Sequence, residues 1–99
     1  MVKSRFLIGD FVQHRAGQFR GVVIGIDQMF MQTDDWYRAM TRNDPPKDKP
    51  WYQVIVDGAE HVAYVSEKDL RSAQDRSQID HPMLGDYFRQ YNGNRYLSR

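Results

Sequence analysis

The chain has 99 residues, of which 40% are hydrophobic and 27% are charged, and it contains no cysteine. This length predicts a single domain over residues 1–99, and the lack of cysteine excludes disulfides, thiolate metal sites and cysteine nucleophiles. Because the apolar runs are too short to cross a bilayer and no signal-peptide core follows the first residues, we expect a cytoplasmic protein without a membrane partner.

Charge is spread unevenly along the chain, although the formal net charge is only +1. Residues 1–25 carry four basic side chains and one acidic, residues 26–60 carry four basic and seven acidic, and residues 61–99 carry six basic and five acidic. The molecule therefore lacks the strong overall positive charge that is typical of a polyanion binder. The excess of basic residues near the N terminus still allows a local basic face.

The first predicted element is a β-hairpin, whose strands are residues 11–15 and 19–27 and whose short loop, residues 16–18, contains Gly17. Glycines at positions 21 and 25 predict a bulge or a sharp bend in the second strand. The side chains of that strand that we expect to face the core share one parity, with Arg20 at the end of the row: Val22, Ile24 and Ile26.

A long irregular stretch, residues 28–49, follows the hairpin and is called here the excursion. Within it, Thr33 can cap a helix of about two turns, and Asp34 and Asp35 suit the positive end of that helix. The Pro45-Pro46 pair ends any regular structure. A connection of this length in so small a domain is typical of a functional or mobile segment.

A second hairpin is predicted from residues 51–57 and 60–65, joined by an Asp57-Gly58 turn. In its second strand we expect Val62 and Tyr64 to face inward. Residues 66–69 predict a capped helical turn before a last short strand over residues 70–72.

The C-terminal stretch predicts a helix that begins near His81-Pro82 and ends at Asn92-Gly93. Its apolar residues lie at helical spacing: Leu84, Tyr87, Phe88 and Tyr91. The elements together predict a mainly β fold, a small SH3-like barrel of about five antiparallel strands, with the excursion between strands 2 and 3 and a C-terminal helix. An OB-like barrel is the alternative.

No catalytic or metal-binding pattern stands out. The three histidines are isolated in sequence, without a partner at i+2 or i+4. The carboxylates at residues 34–35 are explained by helix capping, and those at residues 44–48 alternate with lysines. We therefore expect neither an enzyme nor a cofactor.

Two sets of residues are candidates for binding. Around the tight turn of the first hairpin, His14, Arg15 and Arg20 can contact phosphate, with Lys47 and Lys49 of the excursion as further basic residues. The other set suits protein contacts, because methionine and aromatic side chains adapt to a partner: Met29, Phe30, Met31 and Trp36. Two alternatives stay open, namely that the arginines pair with Asp10 or other carboxylates and that the aromatic residues pack as a core or lid.

Three stretches occur together in order: residues 9–27 with Gly-Asp-Phe-Val-Gln-His-Arg and Arg-Gly-Val-Val, residues 50–58 with Pro-Trp-Tyr-Gln-Val-Ile-Val-Asp-Gly, and residues 64–70 with Tyr-Val-Ser-Glu-Lys-Asp-Leu. In this combination the chain resembles the YccV-like family of hemimethylated-DNA-binding domains, the group of the heat shock protein HspQ. The tail over residues 79–88 is similar to an extension seen in part of that family. The resemblance does not supply a list of DNA contacts.

The resemblance implies an SH3-like barrel without catalysis, which binds double-stranded hemimethylated DNA and acts in replication control and in stress-linked protein turnover. Two hypotheses follow. One is a DNA-binding regulator that uses the basic residues. The other is an adaptor or chaperone-like module that holds an ATP-dependent protease or its substrates through the excursion and the C-terminal helix. The sequence leaves self-association as a homo-oligomer open.

Overall fold

The computed structural model describes residues 3–17 and 19–99, so Gln18 of the predicted first loop lies outside the described residues. Its regular elements in chain order are β1 (Phe11–His14), β2 (Arg20–Asp27), α1 (Asp34–Met40), β3 (Trp51–Val56), β4 (Val62–Ser66), a 3₁₀ turn (Glu67–Asp69), β5 (Leu70–Ser72), α2 (Leu84–Tyr87), β6 (Phe88–Tyr91) and β7 (Tyr96–Ser98). In these ranges no helix is both long and apolar enough to cross a membrane.

Five strands form one antiparallel sheet in the order β4-β3-β2-β1-β5, and β6 and β7 form a separate two-stranded sheet. The mainly β class is confirmed. The outer strands β4 and β5 are joined by the 3₁₀ turn and do not pair with each other in the described ranges, so the sheet is not a closed barrel. The SH3-like barrel therefore stays a prediction.

A bulge in β2 decides which side chains face each side of the sheet. The register between β2 and β3 shifts between Val23 and Gly25, as the glycine pattern predicted. A Cβ on Gly25 would lie 1.9 Å from Oε1 of Gln53, so the bulge brings the glycine against its neighbour strand. The expectation of a shared face is confirmed for Val22 and Ile24 but is wrong for Ile26, because the extra residue reverses the alternation beyond it and Ile26 packs with Val23.

Each face of the sheet carries its own hydrophobic cluster, because successive side chains of a strand point to opposite faces. The first cluster contains Phe6, Val12, Val23, Tyr52, Val54, Val65 and Leu70. The second cluster contains Phe11, Val22, Ile55, Ala73, Ile79, Phe88 and Tyr96. The sheet is therefore covered on both sides, and the second cover comes from the chain after β5.

The N-terminal segment is fixed to the first cluster by one buried hydroxyl. The Tyr52 hydroxyl donates to Glu67 at 2.6 Å and accepts from the backbone N–H of Arg5 at 3.1 Å. Phe6 packs edge-on against the Tyr52 ring at 5.4 Å. Burial, followed by the hydrogen bond to Glu67, raises the pKa of Tyr52 to about 12.

The second hairpin forms as predicted, but its inward face does not. Ala63 lies opposite Val54 and Val65 opposite Tyr52, so these two residues face the first cluster. Val62, expected to face inward, is 40% exposed. The side chains of β4 that face the core are thus shifted by one residue from the prediction. The capped turn after β4 is confirmed, because the Lys68 N–H donates to the Ser66 hydroxyl.

The predicted C-terminal helix is wrong. Helix α2 has only four residues, and at Phe88 the backbone becomes extended, with φ −129° and ψ 146°. Asn92-Gly93 forms the turn of a β6–β7 hairpin, with Gly93 at φ +92°, and Asn92 Oδ1 accepts from two backbone N–H groups beyond it. Asn-Gly is a strong hairpin signal, and here it prevails over the helical spacing because Phe88 and Tyr96 can then both be buried in the second cluster.

Candidate functional site

The excursion is an ordered layer that covers one end of β3 and β4. Thr33 caps α1 by accepting from the backbone N–H of Trp36 at 3.0 Å, which confirms the predicted helix start. The excursion packs through an aromatic cluster, which consists of Phe30, Trp36, Tyr37, Trp51 and Tyr64. Trp51 is 1% exposed and donates its indole N–H to the Pro46 carbonyl at 2.9 Å, so it anchors the end of the excursion.

Tyr64 ties the start of the excursion to the sheet. Its hydroxyl donates to Asp27 Oδ2 at 2.6 Å and accepts from the backbone N–H of Met31 at 3.1 Å. Burial and then the bond to Asp27 raise the pKa of Tyr64 well above its usual range. The ring also stacks on Trp51 with centroids 5.3 Å apart. The position of the excursion is therefore set by contacts on β4 and at the end of β2.

A groove of about 760 Å³ runs along β4, between the β1–β2 turn and the excursion. On one side it is lined by His14, Arg15 and Phe19, and on the other by Trp36, Met40 and Arg42. Residues 61–66 line its floor. The groove therefore joins the hairpin and the excursion, which sequence reasoning treated as two separate candidate sites.

The charges of the groove are mainly basic. Arg15 and Arg42 are both exposed, and in the part of the chain that the structure describes neither forms an ion pair. The backbone N–H of Arg15 donates to the Asp69 carbonyl at 2.8 Å, which holds the turn in place while the guanidinium remains at the surface. Two guanidinium groups are therefore available to an anionic ligand.

His14 is held at the same end of the groove. Its Nδ1 accepts from the backbone N–H of Ala16 at 3.2 Å, and its ring lies 5.3 Å from that of Phe19. In the neutral tautomer this bond leaves the proton on Nε2, so that the outer nitrogen is a donor. His14 can therefore donate one hydrogen bond beside Arg15.

Arg20, a predicted DNA contact, lies apart from the groove and is engaged within the protein. Its side chain is 13% exposed and pairs with Asp57 at 2.9 Å. It also donates to the carbonyl groups of Asp75 at 3.1 Å and Ser77 at 2.6 Å, and it lies over the Phe11 ring. Asp57 in turn accepts from the backbone N–H of Asp80 at 2.7 Å. Arg20 and Asp57 thus hold the segment after β5 against the sheet.

The two lysines of the excursion do not line the groove. Lys47 pairs with Asp34 at 3.1 Å and lies 4.3 Å from the centre of the Tyr37 ring. Its charge is therefore used within the excursion. Lys49 is exposed just before β3.

The four residues predicted for protein contacts divide into two groups. Met29 and Met31 are 53% and 65% exposed, whereas Phe30 and Trp36 are half-buried in the aromatic cluster. Met40, at the end of α1, is also exposed and lines the groove. Sequence reasoning did not single out Met40 or the edge of β4, because only the folded excursion brings them opposite the first hairpin.

Comparison with known proteins identifies the family. The model described as "Hemimethylated DNA-binding protein YccV like" matches residues 4–95. The chain therefore belongs to the YccV-like family of hemimethylated DNA-binding proteins, which confirms the family suggested by the three sequence stretches.

Among curated proteins the chain is similar to F-box only protein 21 from Homo sapiens and from Pongo abelii, each at 27% identity over 94 residues. The same protein from Mus musculus matches at the same identity. The matches cover 93% of this chain but only 15% of each relative, so the chain spans a small part of their length. No solved structure matches the chain.

Proposed function

We propose that this protein is a non-catalytic binder of duplex DNA and that it holds the sugar-phosphate backbone at the rim of the groove. Membership of the YccV-like family supports the ligand class. The observation that carries the position is the pair of exposed guanidinium groups of Arg15 and Arg42 on opposite sides of one groove, neither of which is ion-paired among the described residues. His14 adds a hydrogen-bond donor beside Arg15.

Arginine suits this contact because its planar fork can donate two hydrogen bonds to one phosphate. Arg20 and Lys47 are left out of the proposed contact set, since their charges are already balanced by Asp57 and Asp34. Lys49 remains in it as the exposed last residue of the excursion. With so few contacts, we expect modest affinity and a shallow salt dependence, about −0.9 in log K per log salt for each phosphate neutralised.

The finer role that we propose is recognition of hemimethylated sites in replication-linked regulation within the cytoplasm. A methyl group on a base is an apolar feature of the edge that the base presents in a DNA groove, and a protein recognises it with an apolar side chain placed against it. Trp36 and Met40 line the groove on the same side as Arg42 and supply such surfaces. The contacts to the sugar-phosphate backbone would fix the position of the protein along the duplex, and these apolar side chains would distinguish the methylated strand.

Fluorescence anisotropy with one duplex in three forms, unmethylated, hemimethylated and fully methylated, tests the proposal over a series of salt concentrations. We expect the hemimethylated form to bind most tightly. Arg15→Ala and Arg42→Ala should each reduce the steepness of log K against log salt by the contribution of one phosphate contact, about 0.9. Arg89→Ala is the matched control, because Arg89 is an exposed arginine on β6, outside the groove.

Equal affinity for the three duplexes would overturn the methylation role while leaving backbone binding in place. Equal losses for the Arg15, Arg42 and Arg89 variants would overturn the position of the site. Lack of binding at low salt by the wild-type protein would overturn DNA binding altogether.

A second candidate function is that of an adaptor in protein turnover, and the exposed Met29 and Met31 favour it. Flexible, polarisable methionine side chains suit contact with varied protein partners. The test is the rate at which an ATP-dependent protease degrades a labelled unfolded substrate with and without this protein. Met29→Ser with Met31→Ser should remove any stimulation, whereas a stimulation that survives would contradict this role.

A further inference from the structure

Strand β4 is an open edge of the sheet, and its free side faces the groove. Its pairing with β3 fixes which backbone groups are free. The Glu67 N–H donates to the Pro50 carbonyl at 3.0 Å, which marks these two residues as a hydrogen-bonded pair in the β3–β4 register. In an antiparallel ladder such pairs alternate with pairs that are not hydrogen-bonded. Ala63 and Val65 therefore bond to β3, whereas the N–H and C=O groups of Val62 and Tyr64 point away from it.

The β2–β3 ladder agrees with this assignment. The Asp57 N–H donates to the Arg20 carbonyl at 2.9 Å. The backbone N–H and C=O groups of the odd-numbered residues of β3 therefore point toward β2, and those of its even-numbered residues point toward β4. In the described ranges, the backbone groups of Val62 and Tyr64 make no hydrogen bond to any element outside this ladder. They form a short row of donors and acceptors that a further strand could use.

The two sides of the groove match the alternating side chains of such a strand. Phe19 packs against the first cluster, on the side of Val65, together with His14 and Arg15. Trp36 lies 5.5 Å from the Tyr64 ring on the other side, together with Met40 and Arg42. A strand added to β4 would direct successive side chains alternately to these two sides. Each side offers an apolar surface and an arginine.

We propose that the groove binds an extended acidic peptide segment of a partner protein, which adds to β4 as a further antiparallel or parallel strand. Main-chain bonds to Val62 and Tyr64 would hold the segment, and its carboxylates would pair with Arg15 and Arg42. This inference goes beyond DNA binding and does not depend on it. Because the peptide and DNA would share the two arginines, they would compete for the groove.

Charge argues against a second copy of this chain as the occupant. Two copies paired edge to edge along β4 would bring together two Arg15 and two Arg42 side chains, and like charges across an interface oppose association. A segment rich in Asp or Glu has the complementary sign. Asp69 is the one carboxylate among the described lining residues, so the groove itself offers little neutralisation.

The test uses a seven-residue capped peptide of valine with glutamate at positions 2 and 5, which places one carboxylate on each side of the added strand, and it carries a fluorophore at one end. Two N-methylated forms provide the matched pair: one lacks the amide hydrogens at odd positions and the other lacks those at even positions. Only one set can face β4 in a given register. We expect one form to bind at least about tenfold more weakly and the other to bind like the parent peptide. A lysine-valine peptide should bind much more weakly than the parent.

Variants of the protein locate the site. Val62→Pro removes a free donor without breaking a bond to β3, and edge positions tolerate proline. We expect Val62→Pro and Arg42→Ala to weaken peptide binding, Arg89→Ala to leave it unchanged, and the amide of Tyr64 to become protected from hydrogen exchange when the peptide is bound. Circular dichroism of Val62→Pro checks that the fold is kept, and Arg42→Ala tests the site independently of it.

Equal binding of the two N-methylated peptides would overturn strand addition, as would amide changes confined to residues away from β4. Dimerisation that Val62→Pro abolishes would assign the edge to a second copy instead. If the wild-type protein bound the peptide but not the duplex, only the DNA proposal would be contradicted. The two proposals can therefore fail separately.

Discussion

Two regions of the molecule that contain arginines near aromatic side chains differ in what those arginines contact. In the closed region, the chain after β5 covers the second cluster, and Arg20 is surrounded by Asp57, Asp75 and two carbonyl groups. In the open region, the groove leaves Arg15 and Arg42 without an ion pair among the described residues. The same side chain thus stabilises the fold in one place and remains available to a ligand in the other.

The difference has a physical origin in how much chain is available to cover each edge. Residues 73–98 fold back over the sheet and bring carbonyl groups and carboxylates to Arg20. The excursion covers only the aromatic end of β4 and leaves the strand edge free. A largely buried arginine needs such partners, whereas an exposed one loses little by having none.

The largest expected effect is on the closed region. Phe88→Ala should lower the free energy of unfolding by about 3–5 kcal/mol, because Phe88 is 4% exposed in the second cluster and its removal leaves a cavity. Phe30→Ala, at a half-buried ring beside the groove, should cost clearly less. Urea denaturation of the two variants measures the difference. A larger loss for Phe30→Ala would mean that the excursion contributes more to stability than the C-terminal cover.

The next effect compares the arginines directly. Arg20→Ala should destabilise the protein by about 2–4 kcal/mol, since it leaves Asp57 without its cation and two carbonyl groups without a donor. Arg15→Ala, at an exposed turn, should change stability by less than about 0.5 kcal/mol. Thermal melts would show a drop of roughly ten degrees or more for the first variant. Similar melting temperatures for both would remove the contrast between the regions.

Alkaline pH should weaken both regions through buried tyrosines. Burial raises the pKa of Tyr96, whose hydroxyl accepts from the Ile79 N–H at 3.1 Å, and burial raises that of Tyr64 as well. A raised pKa means that the folded state favours the protonated hydroxyl. This stabilisation is complete below the unfolded-state pKa of about 10 and is lost as the pH rises through the folded-state pKa. For Tyr52 that value is about 12.

Melting temperatures measured from pH 8 to pH 11.5 test this expectation, with tyrosinate absorbance as the second readout. Wild-type stability should fall above about pH 10, and Tyr64→Phe or Tyr96→Phe should each flatten part of that decline. A wild-type melting temperature that stays constant to pH 11 would contradict the buried hydrogen bonds assigned to these hydroxyls.

The smallest expected effect is on the exposed methionines. Met29→Ser with Met31→Ser should leave the free energy of unfolding within about 0.5 kcal/mol of the wild-type value, because both side chains are more than half exposed. Urea denaturation measures this change as well. A loss of more than about 1 kcal/mol would show that these residues belong to the packing of the excursion.

Local signals predicted much of the fold. The hairpin turns at Gly17 and Gly58, the Thr33 cap and the Ser66 turn depend on neighbouring residues, and all are found. The C-terminal helix and the inward face of β4 were wrong, because Phe88 and Val65 take their positions from contacts made with distant strands. Hydrophobic spacing alone cannot separate a short helix from a strand when tertiary burial decides between them.

The candidate site was less predictable for the same reason. Residue type suggested Arg15 and Arg20 equally, but only the folded chain shows that Asp57 and the loop after β5 meet Arg20. Arg42 and Met40 reach the groove through the course of the excursion, which no local pattern indicates. Ion pairing and exposure, rather than sequence position, separate a binding arginine from a structural one.

The most direct test of the central claim is amide chemical-shift mapping of the isotope-labelled protein during titration with a hemimethylated duplex. We predict that the shifts concentrate at His14–Gly17, at residues 40–43 and along β4, and that the surroundings of Arg20 and the β6–β7 hairpin remain unchanged. Shifts centred on the β6–β7 hairpin, or on the segment after β5 that Arg20 holds, would contradict the account.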